Sequence, residues 1–437
     1  MVQDDFRHHA LLMVSGIARG RLVSARGNCS DNAGAVPLAG PAGDPPMKAD
    51  RVAPETRLVH DADTGWGIVA TPVYRASTVL FDNYAALKAG EEDPFDRSRL
   101  HYGRMGVPTT RALEDALAAL DGSAGAVLSP SGLGAIADVL QCFLRPGDHL
   151  LMPDSCYGPT RSLCRGRLAG LGIKTTFYDP LCGAAIRDQL RLRTRMVFLE
   201  SPGSATFEVQ DVAAIAAVAR EAGALTAIDN TWATPLLFNP LEHGVDLAIQ
   251  SGTKYLNGHA DVMFGVTTTA DPDLYERLRR YVLGNGVHLA PDDAWLARRG
   301  LRTLAVRLAV HERAAYTLAE ALAARPEVAK VLHPGLPDCP GHASFRRDFR
   351  GASGLFAIVL NGLDEAALAR FVDGLELFGM GYSWGGFESL VLPMTPTRDL
   401  VGGRLAQGET LLRVHAGLEA VDDLLADLDA AFARAYR

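Results

Sequence analysis

Nothing in this 437-residue chain is built to cross a membrane as a helix: no apolar run approaches the roughly 18 residues that a span needs. Cysteine is scarce and irregular. The six, Cys29, Cys142, Cys156, Cys164, Cys182 and Cys339, contain no CxxC pair and no regular framework, so they read as reduced thiols of a cytoplasmic protein. Dense basic clusters with interleaved aromatics are missing, and 43 Lys and Arg against 51 Asp and Glu leave a net charge of −8. That balance argues against a nucleic-acid partner. The phosphate loop GxxxxGK followed by Ser or Thr is absent, as is a dinucleotide fingerprint. His259 and Asp261 have no third ligand at metal-site spacing, so no metal is expected.

What is present is the material of a globular protein: 48% apolar and 22% charged residues, enough for a large core and two or three domains. Residues 1–50 are the exception. Their scattered arginines and the stretch SARGNCSDNAGAVPLAGPAGDPP carry almost no periodicity, which predicts a disordered extension, with Met47 as an alternative start. Residues 51–107 predict an extended arm, through Thr71–Tyr74 and Ser77–Phe81, ending in HYGRMGVPTT. Taken alone, Tyr102 and Arg104 in that motif read as plain surface residues. Pro108 opens a helix with a buried stripe of Leu113, Leu117 and Leu120, and Gly122 ends it.

Alternation follows over 108–300. Strands are predicted at Ala126–Ser129, His149–Met152, Ile173–Phe177, Met196–Leu199 and Ala224–Ile228, with helices between, one of them placing Leu133, Ile136, Val139, Leu140 and Phe143 on one face. Such alternation implies an α/β unit with a mainly parallel sheet covered on both sides, whose ligands gather at the carboxyl ends of the strands. Ser131–Gly132, Tyr157, Glu200, Asp229 and Lys254 all follow strands in this reading. Beyond 301 a smaller α+β domain is expected. It has a long helix over Ala294–Ala324, strands at Val328–Leu332, Gly354–Leu360, Leu377–Met380 and Leu411–His415, and helices near Asp364–Val372 and Val421–Tyr436.

Lys254 is the residue with the fewest ordinary uses. It sits in DLAIQSGTKYLNGHADVMFGVTTT between the apolar run Leu247–Ile249 and a second run, Val262, Met263, Phe264 and Val266. A buried ammonium is costly unless paired, so such a lysine is neutralised or chemically employed. Ser251 and Thr253 beside it offer hydroxyls for a phosphate, and Asp229 ends the preceding strand. A lysine and an acid on adjacent strand ends are what pyridoxal phosphate requires, the acid for the ring nitrogen and the amine for a Schiff base. A structural ion pair satisfies the same spacing. The loop SPSGLG could present backbone N–H groups and a helix N-terminus to a phosphate, or be an ordinary glycine turn. Tyr157 could stack on a flat ring or simply pack. Arg413, among Leu411, Leu412 and Val414, needs an anion, either an internal carboxylate or a substrate carboxylate.

From about Arg51 onward the motifs YGRMGVPT, PSGLGA, CYGPT, ESPGS, AIDNTWATP, SGTKYLNGHAD, YSWGGFESL and LLRVHAGLEAVDDLLADLDAAF occur in one order. In these the chain resembles the trans-sulfuration, or Cys/Met-metabolism, enzymes of pyridoxal-phosphate fold type I, and within them the bacterial cystathionine β-lyase branch. The resemblance implies Lys254 as Schiff-base lysine, Asp229 as pyridinium partner and Tyr157 as stacking and catalytic tyrosine. It implies Gly132, Leu133, Ser251 and Thr253 as phosphate cradle, with Tyr102 and Arg104 reaching the phosphate of a neighbouring subunit. Arg413, with Ser383 and Trp384, would hold the substrate. The implied reaction is β-elimination of L-cystathionine to homocysteine, pyruvate and ammonia, by a homo-oligomer that is at least a dimer and, as a dimer of dimers, a tetramer. Gly203–Ser204, where many relatives carry an asparagine nearby, and the tryptophan of SWGG are similar to the β-lyase branch. γ-Replacement or γ-elimination, cleavage of cystine or other S-conjugates, and a non-catalytic cofactor-binding regulator are the alternatives.

Overall fold

The computed structural model describes residues 52–60, 68–400, 405 and 409–436. The expected N-terminal extension and Met47 lie outside those residues. The arm differs from the extended reading: it contains helices α1 (Pro54–Val59) and α2 (Tyr84–Glu92). Asn83 caps α2 by accepting the Ala86 N–H, the usual competence of a short amide side chain before a helix. Between α2 and Tyr102 the chain turns back on itself, and Tyr102 bridges to Thr78.

Helix α3 (Pro108–Asp121) buries Leu113, Leu117 and Leu120 and stops at Gly122, whose φ of +72° suits a residue without Cβ. Each of those leucines removed from water contributes about 1.5–3 kcal/mol. The chain then runs β1 (Gly125–Ser129), α4 (Gly132–Phe143), β2 (His149–Pro153), α5 (Gly158–Leu163), β3 (Lys174–Tyr178), β4 (Thr194–Glu200), α6 (Val212–Glu221), β5 (Leu225–Asp229), α7 (Thr234–Leu237), β6 (Leu247–Ser251) and β7 (Gly265–Thr269). These strands form one sheet in the order β1-β7-β6-β5-β4-β2-β3. β3, β2, β4, β5 and β6 pair in parallel, and β7 is antiparallel to both its neighbours.

Alternate residues of β4 show why the central strands read as unbroken apolar runs. Val197 and Leu199 pack with Ile215 of α6 on one face, while Met196 and Phe198 pack with Ile136 and Val139 of α4 on the other. Both faces are buried over Met196–Leu199, so that stretch is apolar throughout. Leu133 departs from the expected apolar face of α4: it is 37% exposed. Strand β7 starts at Gly265, so Val262–Phe264 belong to the preceding loop.

The second part holds α8 (Pro272–Gly284), α9 (Pro291–Leu301), α10 (Leu304–Ala323), β8 (Val328–Leu332), α11 (His342–Asp348), β9 (Leu355–Asn361), α12 (Glu365–Val372), β10 (Gly379–Met380), β11 (Leu390–Met394), β12 (Glu409–His415) and α13 (Val421–Ala435). The single helix expected over Ala294–Ala324 is two helices. Thr303 breaks it by folding its N–H and hydroxyl back onto the Gly300 carbonyl, the competition with the helical ladder that short hydroxyl side chains offer. A smaller sheet, β10-β11-β12-β9-β8, forms here. Strand β11 is not among the strands expected from the sequence, and it contains Pro393. That proline is tolerated because β10 pairs only with Leu390 and Val391, leaving the rest of that edge without a ladder to interrupt.

Candidate active site

The parallel strands β2, β4, β5 and β6 deliver their carboxyl ends to one edge of the large sheet, and Glu200 stands beside Asp229 in the β4–β5 register. Lys254 follows the end of β6 in a tight turn, where its N–H bonds to the Ser251 carbonyl. Its Nζ donates to Ser383 Oγ at 2.7 Å and lies 5.4 Å from the centre of the Trp384 ring. Burial, then the charge of Arg413, push the Lys254 ammonium down to about 8, against a smaller pull from Asp229. Lys254 and Asp229 form no ion pair, so the structural-pair reading of their spacing fails.

Asp229 is fixed from one side. Thr231 gives it both a backbone N–H at 3.0 Å and its hydroxyl hydrogen, while the same Thr231 oxygen accepts the Ser251 N–H at 2.8 Å. Burial raises the Asp229 carboxyl above its ordinary range, with the two Thr231 donors and Lys254 opposing. Glu200 is raised further, by burial first and the charge of Asp229 second, and its Oε2 accepts the Tyr157 N–H at 2.7 Å. Tyr157 precedes α5 at its N-cap position and is 43% exposed, which excludes a core role. Burial, then Asp229 and Glu200, raise its hydroxyl, and Arg413 opposes them.

Arg413 on β12 is 8% exposed. Its Nη2 donates to the carbonyls of Gly381 and Ser383, at 3.1 and 2.9 Å, and among the described residues no carboxylate pairs with it. Burial lowers its pKa from the ordinary guanidinium value. The internal-carboxylate reading of Arg413 is therefore not met. Ser383 adopts φ +75°, a conformation a non-glycine residue keeps only where the surroundings impose it. Trp384 packs on the buried Tyr255 ring, 5.4 Å between centroids, and lies 5.4 Å from Lys254 Nζ.

The start of α4 could hold a phosphate. A Cβ at Gly132 would stand 2.4 Å from Ser251 Cβ, so only glycine lets the helix N-terminus close onto the Ser251 turn. Leu133 follows with its N–H free of any intrahelical partner, as the first turn of a helix requires. The Thr253 hydroxyl engages the Phe264 N–H and carbonyl, at 3.1 and 3.3 Å, and shapes the turn. Buried acid, depressed lysine, exposed tyrosine face and anion cradle suit the ring nitrogen, aldehyde, ring face and phosphate of pyridoxal phosphate in turn. Tyr102 and Arg104 stand apart from this set. Tyr102 is 47% exposed, and Arg104 donates to the Leu283 carbonyl at the end of α8. Thr231 was not singled out from sequence, because a threonine after an acid carries no pattern of its own. His415, whose Nε2 accepts the Gly385 N–H at 3.1 Å behind Trp384, hid inside an apolar strand.

Comparison with known proteins agrees with the geometry. The family model described as Cys/Met metabolism PLP-dependent enzyme matches residues 55–433. The chain is 45% identical over 376 residues to the cystathionine beta-lyase of Escherichia coli, covering 84% of this chain and 94% of that protein. It is 44% identical over 375 residues to the cystathionine beta-lyase of Salmonella typhimurium, with the same coverage. Among solved structures, cystathionine gamma synthase from Xanthomonas oryzae pv. oryzae in complex with cystathionine superposes with a TM-score of 0.81 at 35% identity, over 88% of this chain and 99% of that one. A match of that span, on a site with these donors, places the chain in the Cys/Met-metabolism family of PLP-dependent enzymes, with pyridoxal phosphate as its cofactor.

Proposed function

We propose that this enzyme is a carbon–sulfur lyase that cleaves L-cystathionine with water to L-homocysteine, pyruvate and ammonia. The observation that carries the reading is the buried Arg413 with no carboxylate partner, beside a lysine depressed to about 8. An α-amino acid supplies the missing carboxylate. The two beta-lyases at 44–45% identity, against 38% for the cystathionine gamma-synthase of Escherichia coli, favour β- over γ-chemistry.

Gly132, Leu133, Ser251 and Thr253 would hold the cofactor phosphate, Asp229 its ring nitrogen, Tyr157 its ring face and Lys254 its aldehyde carbon. When bound, pyridoxal phosphate supplies the electron sink for the pair left on Cα. The protein's own groups do the remaining work. The Arg413 guanidinium orients the substrate α-carboxylate, and Ser383 and Trp384 wall the pocket beside it. Lys254, neutral in a useful fraction near its pKa, takes the Cα proton, the condition for an efficient general base. Lys254 or Tyr157 then returns a proton to the departing sulfur, so homocysteine leaves as the thiol.

Tyr102 and Arg104 complete the site of a neighbouring subunit in this reading, supported by the exposed Tyr102 ring and an Arg104 that meets only a backbone carbonyl here. The assembly is then at least a two-fold dimer, and a tetramer as a pair of dimers. Among the described residues all five cysteines are free and no helix is long and apolar enough to cross a membrane, which supports a cytoplasmic site of action. Supplying L-cystathionine and identifying the keto acid tests the reaction. Pyruvate supports β-cleavage, 2-oxobutyrate replaces it with γ-cleavage, and neither acid ends the lyase reading.

A further inference from the structure

The loops that follow β2 and β4 meet beside Tyr157. Ser204 donates its N–H to the Ser155 carbonyl at 2.8 Å, and a Cβ at Gly203 would stand 2.4 Å from Ser155 Cβ. A third segment, residues 398–400 of the connection from β11 to β12, binds both loops. Arg398 Nη2 donates to both oxygens of Glu208, at 3.0 and 3.1 Å, and both side chains are buried. The Thr206 hydroxyl donates to the same carboxylate at 2.6 Å. On the β2 side, the buried Asp154 carboxylate accepts two backbone N–H groups of the segment, from Asp399 at 2.9 Å and Leu400 at 3.1 Å.

Asp154 also holds Arg161. Arg161 Nη2 donates to Asp154 Oδ1 at 2.8 Å and to the Asp154 carbonyl at 2.7 Å, and the guanidinium lies over the Phe177 ring. Nη1 stands 3.1 Å from Asp399 Oδ2, a contact of opposite charges without hydrogen-bond alignment, and Arg165 pairs with the same Asp399. Arg161 is one helical turn beyond Tyr157 and bonds its N–H to the Tyr157 carbonyl at 3.0 Å. The Tyr157 N–H goes to Glu200 at the end of β4. We propose that the 398–400 segment is a clasp, and that Asp154, Arg161, Arg398 and Asp399 are positioning residues that set Tyr157 through it. A buried ion pair adds little stability over apolar packing, but its geometry is directional, as a positioning contact needs. With the segment released, Asp154 would lose two of its donors and Arg161 one of its anions, and the 157–161 turn would lose its outer restraint. The connection continues into β12, so the clasp ties the strand of Arg413 to the tyrosine.

The inference rests on the role given to Tyr157 above, but its first readout does not. In the holoenzyme, hydrogen exchange of the 154–163 peptide reports the Tyr157 and Arg161 N–H groups. Arg398→Leu should speed that exchange about tenfold, the order of one lost hydrogen bond to a charged group, although Arg398 bonds to Glu208, outside the peptide. Arg398→Lys, which keeps a cationic donor for Glu208, should restore most of the protection. In turnover of L-cystathionine, Arg398→Leu should lose about tenfold in kcat/KM with cofactor content retained, and should cause no further loss in a Tyr157→Ala background, because contacts that act through one side chain are not additive. Wild-type exchange in a folded Arg398→Leu, no recovery in Arg398→Lys, or the same kinetic loss in both backgrounds overturns the proposal. If Arg398→Leu does not fold, Arg398→Leu combined with Glu208→Leu decides in its place, since it opens the same grip without leaving a buried charge alone. Failure of the wild type to release pyruvate would sink the lyase reading while leaving the exchange result to judge the clasp.

Discussion

Replacing Arg413 with lysine separates substrate anchoring from every other property of the site. The guanidinium is buried, spends one nitrogen on the Gly381 and Ser383 carbonyls, and meets no carboxylate. Its remaining N–H groups can form a two-pronged contact with a substrate carboxylate, which an ammonium on a shorter stem cannot reproduce. A hydrogen bond to a charged group is worth about 1.5–3 kcal/mol. Losing one prong should therefore lower kcat/KM for L-cystathionine about ten- to a hundredfold, at about 1.4 kcal/mol per decade. Most of the loss should fall on KM, because the carboxylate is held alike before and during the reaction. The cofactor should stay bound, since no cradle residue touches Arg413. The assay is steady-state pyruvate release with cofactor content measured on the same samples. An unchanged KM with depleted cofactor would refute the assignment and make Arg413 a cofactor residue.

Three further outcomes follow from the same geometry. Asp229→Asn should fold, because Thr231 can still donate to the amide oxygen, yet lose at least about a hundredfold in kcat through loss of the charge facing the ring nitrogen; near-normal turnover would mean another group holds that proton. Capture of pyridoxal phosphate by the apoprotein needs the neutral Lys254 amine, so its rate should rise with pH, level off above about 8, and fall as the ammonium forms below it; in Arg413→Leu that midpoint should move up, because the guanidinium charge is the second cause of the shift, and stopped-flow absorbance against pH reads both. Lys254→Ala and Arg104→Ala should each be nearly inactive, while the co-expressed mixture should recover roughly a quarter of its sites, since random pairing makes about half the dimers hybrid and each hybrid of a two-fold dimer has one intact site; purified hybrids no better than their parents would place Arg104 outside a shared site.

The residues that could be read from the sequence are those that break their local pattern. Lys254 interrupts an apolar hairpin, Arg413 interrupts an apolar strand, and Asp229 ends one, so each posed an energetic question that only a partner could answer. The large sheet was legible for a related reason: the stretch Met196–Leu199 of β4 is buried on both faces and has no alternation to mistake for an exposed strand. Where the reading missed, a local rule had been overridden by something distant. Pro393 is a poor residue for a central strand but sits where the neighbouring strand has ended. Thr303 looked compatible with a continuous helix until its hydroxyl found the Gly300 carbonyl.

His311, His415 and Thr231 form the opposite class. A histidine on the inner face of α10, or on a strand already containing Leu412 and Val414, breaks no pattern, because a neutral imidazole with two backbone partners is tolerated in a core. What its nitrogens meet depends on a glycine 30 residues away and a carbonyl 105 residues away. Neither separation is visible to periodicity. The same holds for Thr231, whose one oxygen serves Asp229 as donor and Ser251 as acceptor, tying the end of β5 to the Ser251 turn. Removing that oxygen by Thr231→Val should then disturb both ends at once, loosening cofactor affinity through the Ser251 turn and lowering turnover through Asp229. A variant that lost only one of the two would show that the ends of the site are set independently.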